Sequence, residues 1–146
     1  MREIAEGLLR AIDAAEPQLR RVSEDESRIP VLKGGWSRKQ VIGHLIDSAS
    51  NNHQRFVRAA LAGELEFPQY DQAGNVQLQA VQEADWLLLV STWTIYNRYL
   101  VHVIAHLPED RLGAVCRIGD GEPVTLGFLV EDYLDHLNHH LGQINI

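Results

Sequence analysis

The histidines near the end of the chain are the residues best placed to do chemistry. His136, His139 and His140 are three of the chain's seven histidines and lie within five consecutive residues. On an α-helix, His136 and His140 stand on the same face, one turn apart. Two imidazoles at this spacing can bind one metal ion, as those of an H-E-x-x-H helix do. A catalytic metal usually has three protein ligands and an open position, so a third ligand must come from elsewhere.

The third ligand has to lie at the same height in the fold as this pair. His136 lies ~10 Å from Gln143, the predicted end of its helix, at a rise of ~1.5 Å per residue. His44 lies seven residues after Ser37, hence also ~10 Å from the end of another predicted helix. If these two helices are antiparallel, His44 meets the pair, whereas His53 lies more than two turns too far along.

A second pair with the same spacing is the main rival. His102 and His106 are also four residues apart, at the end of a third predicted helix. A protonated histidine at such a position also complements the helix dipole. Arg98 and Asp110 nearby indicate a more hydrated end of the fold, so we rank this pair below the first.

Apolar residues at helical spacing predict four helices. The first covers residues 3 to 15, after which Pro17 either kinks it or starts a second segment that continues to Val22. The second follows a capping box at Ser37 and Gln40 and ends near Gly63. The third spans residues 78 to 107, and the fourth spans residues 126 to 143, with Thr125 as its N-cap.

Three connections join these predicted helices. Residues 23 to 33 are polar and contain a proline, so we expect a simple connection there. Residues 64 to 76 form a connection that is long for a helical hairpin and could line a cleft. Residues 114 to 126 resemble a short β-hairpin or an irregular loop. The sequence therefore predicts an all-α four-helix bundle that forms a single domain over residues 1 to 146.

Composition narrows the class of function. The net charge of −7 argues against nucleic-acid binding, which needs a cationic surface, and gives no attraction to an anionic membrane. The first six residues carry charges where a signal peptide would be apolar, and no apolar run approaches a membrane span. The single cysteine, Cys116, excludes an internal disulfide and a cysteine-rich zinc site, and we expect an inert thiol. We therefore expect a cytoplasmic protein.

Two stretches resemble the helix signatures of the DinB/YfiT-like superfamily. The first is Gly35-Trp36-Ser37-Arg38-Lys39-Gln40-Val41-Ile42-Gly43-His44-Leu45-Ile46-Asp47-Ser48, followed by Arg55-Phe56. The second is Tyr133-Leu134-Asp135-His136-Leu137-Asn138-His139-His140-Leu141-Gly142-Gln143-Ile144. The order of the predicted elements also resembles that of the family along the whole chain.

The resemblance implies a four-helix bundle that binds a divalent metal, zinc or nickel in known members, through three histidines. Position by position, these fall on His44, His136 and His140, the same residues that the height argument selects. Family members include bacillithiol S-transferases, mycothiol-dependent isomerases and many uncharacterised proteins labelled metal-dependent hydrolases. The resemblance also implies a small-molecule substrate, with a low-molecular-weight thiol as one candidate, and a homodimer as one arrangement.

Further polar residues are candidates for catalysis. They are Asp47, Asn52, Arg55, Tyr133 and Gln143, with Ser48 and Asp132 as neighbours of the proposed ligands. Asp132 could orient His136, and Arg55 could hold a substrate carboxylate. The structural alternatives are an exposed helix face for Asn52, Arg55 and Asp132, and packing between helices for Tyr133.

Three functions remain open from the sequence. A divalent ion with three neutral ligands keeps its full charge, which would stabilise a thiolate for S-transfer to an electrophile. The same charge could instead produce a hydroxide from water, for hydrolysis of a small ester or amide. No glutamate stands beside the histidine pair as in H-E-x-x-H, which slightly favours thiol transfer. In the third alternative, a stress-related protein without enzymatic activity uses the metal only to stabilise the bundle.

Overall fold

Four long helices form the body of the molecule in a computed structural model that describes residues 1 to 146. These are α1 (Arg2–Leu19), α3 (Arg38–Ala62), α5 (Trp86–Ala105) and α6 (Leu126–Gln143). Helices α1 and α3 each pack against both α5 and α6, so α1 and α3 lie diagonally across the bundle. The predicted all-α four-helix bundle is therefore confirmed.

Shorter elements connect the long helices. They are α2 (Glu24–Arg28), β1 (Glu64–Phe67), α4 (Gln72–Leu78), a 3-10 turn (Glu109–Arg111), β2 (Val115–Ile118) and β3 (Val124–Thr125). Strand β2 pairs with β1 in parallel and with β3 in antiparallel, giving a sheet in the order β1-β2-β3. The hairpin predicted before the last helix is confirmed, and β1 adds a third strand to it.

Buried apolar side chains from all four long helices fill the centre of the bundle. Burial of this surface is the main force that holds the helices together. Fully buried members with large side chains include Leu8, Ile12, Ile42, Leu45, Phe56, Trp86, Trp93, Leu100, Ile104 and Leu137. Of the three tryptophans, Trp86 and Trp93 are core residues, while Trp36 is only partly buried.

Local capping fixes the ends of α3, the helix that carries His44. The Ser37 side chain accepts a hydrogen bond from the Gln40 backbone N–H, and the Gln40 side chain accepts one from the Ser37 backbone N–H, as predicted. At the other end Gly63 has φ 83°, a left-handed conformation that favours glycine. Gly43 permits close packing, since a Cβ there would lie 2.7 Å from Val81 Cγ1.

Two predicted connections contain helices or strands that the apolar pattern did not reveal. Residues 23 to 33 were expected to be a simple connection, but Ser23 and Glu26 form a capping box that starts α2. The loop expected over residues 64 to 76 contains β1 and most of α4. These elements are short, so local caps and distant strand pairing specify them more than periodicity does.

The start predicted for the third long helix was also wrong. It was expected at residue 78, but α5 begins at Trp86 because Asp85 caps it by accepting a hydrogen bond from the Leu88 N–H. Ala80, with φ 49°, lies in the segment that separates α4 from α5. None of the helices has the length and apolar character needed to span a membrane.

Candidate metal centre

Helices α3 and α6 bring His44, His136 and His140 together. The ring centroids lie 5.1 Å apart for His44 and His136, 4.8 Å for His44 and His140, and 4.5 Å for His136 and His140. One ring nitrogen from each residue lies within 4.8 Å of the other two. His44 is fully buried, whereas the two α6 histidines are partly exposed.

The spacing of the ring nitrogens suits a shared ion. The Nε2 atoms of His44 and His136 are 3.1 Å apart. Two nitrogens bound to one tetrahedral zinc ion at ~2.0–2.1 Å would be ~3.3 Å apart. The same separation also permits a direct hydrogen bond between the two neutral rings. The third ring, from His140, completes a group that can hold a metal.

Neighbouring side chains orient two of the three rings. Gln143 Oε1 lies 2.8 Å from His140 Nδ1, and Ser48 Oγ lies 3.4 Å from His136 Nδ1. If each Nδ1 carries the proton and donates it to these oxygens, both Nε2 atoms are left free to bind a cation. The Nδ1 atom of His44 is buried with no hydrogen-bond partner.

The protein environment keeps these rings uncharged at neutral pH. Burial, followed by the proximity of His136 and His140, lowers the pKa of His44 to about 4. Burial and the neighbouring histidines likewise lower the pKa of His136 to about 4. Burial lowers the pKa of His140 as well, against an opposing contribution from Gln143. Neutral imidazole is the form that binds metals, so these rings need not lose a proton before they can bind a cation.

A polar cavity of about 180 Å³ opens beside His136. Its other lining residues come from α3, α6, the segment before α4, the first residue of α4 and the end of β2. They are Ser48, Asn52, Arg55, Gln69, Tyr70, Gln72, Ile118, Asp132 and Tyr133. The volume lies below the ~300–1,000 Å³ of typical ligand pockets, so only a small molecule or part of one fits.

The predicted catalytic candidates occupy different surroundings. Asn52 and Arg55 line the cavity, and Arg55 Nη1 donates to Asn52 Oδ1 at 3.4 Å. Tyr133 also lines it, but its hydroxyl donates to Asn97 Oδ1 on α5 at 2.5 Å. Gln143 contacts His140, as described above. Asp47 is buried outside the cavity lining and accepts a hydrogen bond from Gln79 Nε2 at 2.7 Å.

The remaining histidines and the cysteine lie outside the triad. His102 and His106 form an exposed pair in which His106 Nδ1 donates to the His102 carbonyl, and no third ligand joins them. His53 contacts the Tyr96 hydroxyl at 3.2 Å. Cys116 is buried, and burial raises the pKa of its thiol, so the thiolate that would react is disfavoured.

Sequence reasoning missed four residues of the cavity. Gln69 and Tyr70 come from the segment between β1 and α4, Gln72 begins α4, and Ile118 ends β2. The pairing of β1 with β2, which aligns Phe67 with Ile118, holds these segments against the bundle. The only available signal was the unusual length of the connection after the second predicted helix, which indicated a cleft without naming its residues.

A family model for the DinB superfamily matches residues 2 to 144. The chain belongs to the DinB superfamily. The resemblance seen in the two helix signatures is therefore confirmed, and it covers both histidine-bearing helices.

Individual relatives of this DinB superfamily member come from Bacillus. A Bacillus pumilus (strain SAFR-032) protein named "Putative metal-dependent hydrolase" is 29% identical over 115 residues. That match covers 79% of this chain and 66% of the relative's length, so it leaves a third of the relative unmatched.

Two solved structures share the fold. YfiT from Bacillus subtilis, described as "a probable metal-dependent hydrolase with an unusual four-helix bundle topology", matches with a TM-score of 0.81 and 23% identity over 98% of this chain and 82% of that chain. A DinB-like protein from Bacillus subtilis, YjoA, matches with a TM-score of 0.66 and 20% identity, covering 97% and 86% of the two chains. At these identities the structural likeness supports the fold alone.

Proposed function

We propose that this DinB superfamily member is a metal-dependent enzyme that activates a small thiol for S-transfer to an electrophile. His44, His136 and His140 would hold one divalent ion, with zinc and nickel as the leading candidates. The observation that carries the proposal is the convergence of three ring nitrogens within 4.8 Å beside a small polar cavity. The proposed ligands are all neutral imidazoles, which suit these metals.

The bound ion would supply positive charge that favours the deprotonated form of a thiol or of water. The chain's own residues prepare the site for it. Gln143 and Ser48 fix the orientation of the α6 rings, and burial keeps the rings unprotonated. The cavity beside His136 would admit the substrate while Asn52 and Arg55 contact its polar groups.

Thiol transfer is preferred because no carboxylate contacts the histidine rings in the way that the glutamate of H-E-x-x-H, a general base, stands beside its metal ligands. No carboxylate forms a hydrogen bond or an ion pair with any of the three rings. The attack of a thiolate on an electrophile needs no such base once the thiol has lost its proton. Hydrolysis by activated water normally benefits from one, as the glutamate of H-E-x-x-H shows.

Hydrolysis of a small ester or amide is the second candidate function. Asp132 lines the same cavity as His136 and could accept a proton from water there. The names of the Bacillus pumilus relative and of YfiT both refer to metal-dependent hydrolysis. A third candidate, in which the metal only stabilises the bundle, would need no substrate at all.

Activity assays on metal-loaded protein separate these three functions. Purified protein would be incubated with bacillithiol and a chloro-aromatic or epoxide acceptor, and in parallel with ester and amide probes. We expect metal-dependent conjugate formation that is lost in His136→Asn and retained in His102→Asn. If the protein turns over only the ester or amide probes, hydrolysis is its function and the transfer proposal is wrong. If neither occurs and chelation only lowers the melting temperature, the metal is structural.

A further inference from the structure

Arg55 is a buried cation without a counter-ion. Arg55 is only 9% exposed, yet no carboxylate lies within 4.0 Å of its guanidinium. Its Nε atom is buried with no hydrogen-bond partner, and its one hydrogen bond goes to the neutral amide of Asn52. Buried arginines are normally paired, because leaving the charge unpaired costs free energy.

The surroundings hold the guanidinium in place without neutralising it. Its central carbon lies 5.2 Å from the centre of the Phe67 ring, a cation–π contact that also limits its movement. Burial lowers the pKa of Arg55, while Tyr70 and Asp132 oppose this effect. Asp132 is exposed and lies beyond ion-pair distance, so it lessens the charge imbalance without satisfying the guanidinium donors.

The unpaired cation shares a cavity with one of the three proposed metal ligands. Arg55 and His136 both line the polar cavity of about 180 Å³. His44 and Arg55 are ~16 Å apart along the axis of α3, but the arginine side chain tilts back towards the start of the helix. A small molecule in this cavity can therefore contact His136 at one end and Arg55 at the other.

We propose that Arg55 is the specificity-determining residue for a carboxylate carried by the substrate. This inference rests on the proposed function, because it assumes that the other end of the substrate reacts at the histidine triad. The planar fork of the guanidinium matches a carboxylate with two parallel hydrogen bonds. The substrate carboxylate would then supply the counter-ion that the folded chain lacks.

Matched thiol probes test the carboxylate preference directly. Zinc-loaded protein would be titrated with 6-mercaptohexanoate and 6-mercaptohexanol, which have the same thiol and chain length and differ in charge at the far end. We expect the carboxylate probe to bind on the order of ten-fold more tightly, as suits a charge-assisted hydrogen bond. The net charge of −7 would by itself repel this probe, so a preference for it points to a local cation.

Variants locate the preference at Arg55. In Arg55→Gln the two probes should bind equally, and in Arg55→Lys part of the preference should return. Arg58→Gln is the matched control. The central guanidinium carbon of Arg58 lies 6.0 Å from the centre of the same Phe67 ring, but Arg58 is exposed and hydrogen-bonded to Gln54. Equal binding of the probes to the wild type, or an undiminished preference in Arg55→Gln, would overturn the inference.

A metal-free arm separates this inference from the proposed function. In chelated protein, the ¹⁵N NMR signal of the Arg55 side chain should shift on addition of hexanoate and stay in place with hexanol. If neither thiol binds zinc-loaded protein while hexanoate still shifts this signal, the metal proposal fails and the carboxylate site stands. If 6-mercaptohexanol binds the zinc-loaded protein and hexanoate leaves the signal unmoved, the carboxylate inference fails alone.

Discussion

Burial in the bundle keeps His44 and His136 in the chemical form that metal binding requires. Each has a pKa near 4 in the folded protein, against 6.5 for an unperturbed histidine. Between these values the unfolded chain binds protons that the folded chain does not. Lowering the pH through this range therefore favours unfolding, and the loss levels off below about pH 4.

This linkage predicts a pH-dependent stability for the metal-free protein. Between pH 7 and pH 5 the free energy of unfolding should fall by about 2 kcal/mol for fully buried His44, with a smaller contribution from partly exposed His136. The fall should shrink in His136→Asn, which removes one of the titrating rings and its effect on His44. Urea unfolding at the two pH values measures it, and His102→Asn is an exposed control. A wild-type protein equally stable at both values would contradict the neutral, buried triad.

Individual site residues differed in how well the sequence could identify them. The three histidines could be found because helical spacing fixes which residues share a face and how far each lies from a helix end. The environment of Arg55 could not, because its lack of a counter-ion depends on segments that approach from elsewhere in the chain. Phe67 and Tyr70 reach it only through the fold of the segment after α3.

At the scale of elements, a polar cluster links α2, α3 and α5 near the start of α3. It consists of the Lys39–Glu24 ion pair and the backbone groups of Ala84 and Trp86 that bond to it. The Lys39 ammonium is fully buried and pairs with Glu24 of α2, and it also donates to the Ala84 carbonyl. Glu24 in turn accepts a hydrogen bond from the Trp86 backbone N–H at 2.9 Å, at the start of α5. Hydrogen bonds from Lys39 and Trp86 hold the pKa of Glu24 down, at about 2.

Removing one partner of this ion pair should destabilise the protein. Glu24→Gln leaves the buried Lys39 ammonium with carbonyl groups only, so we expect a lower urea midpoint at pH 7. Adding Lys39→Met to the same chain removes the unpaired charge and should recover most of the loss. Glu83→Gln, at an exposed position near the cluster, should have little effect. An unchanged midpoint in Glu24→Gln would show that the ion pair does not hold these helices together.

The same cluster shows why the long helices were easier to predict than their connections. An extended apolar periodicity marks α1, α3 and α6 in the sequence, whereas α2 has only five residues and depends on its cap and on Glu24. Strand β1 pairs with β2, which lies far away in the chain. At the first position of their register, Glu64 lies opposite Val115. A window of neighbouring residues contains no information about such a pairing.

At the scale of the whole molecule, the antiparallel arrangement of α3 and α6 creates the site. Phe56, late in α3, packs on Tyr133, early in α6, with ring centroids 5.9 Å apart. His44, early in α3, meets His140 near the end of α6. The bundle core therefore sets the register that aligns the three imidazoles. From the sequence, this arrangement was only a condition for His44 to meet the α6 pair, and the fold meets that condition.

Metal analysis of protein purified without a nickel column tests the central claim most directly. We expect one zinc or nickel ion per chain in the wild type and in a His102→Asn, His106→Asn double variant, which removes the rival pair. His44→Asn and His136→Asn should fold and contain almost no metal. A wild-type protein that takes up no stoichiometric divalent ion, or a His136→Asn variant that retains it, would contradict the proposed centre.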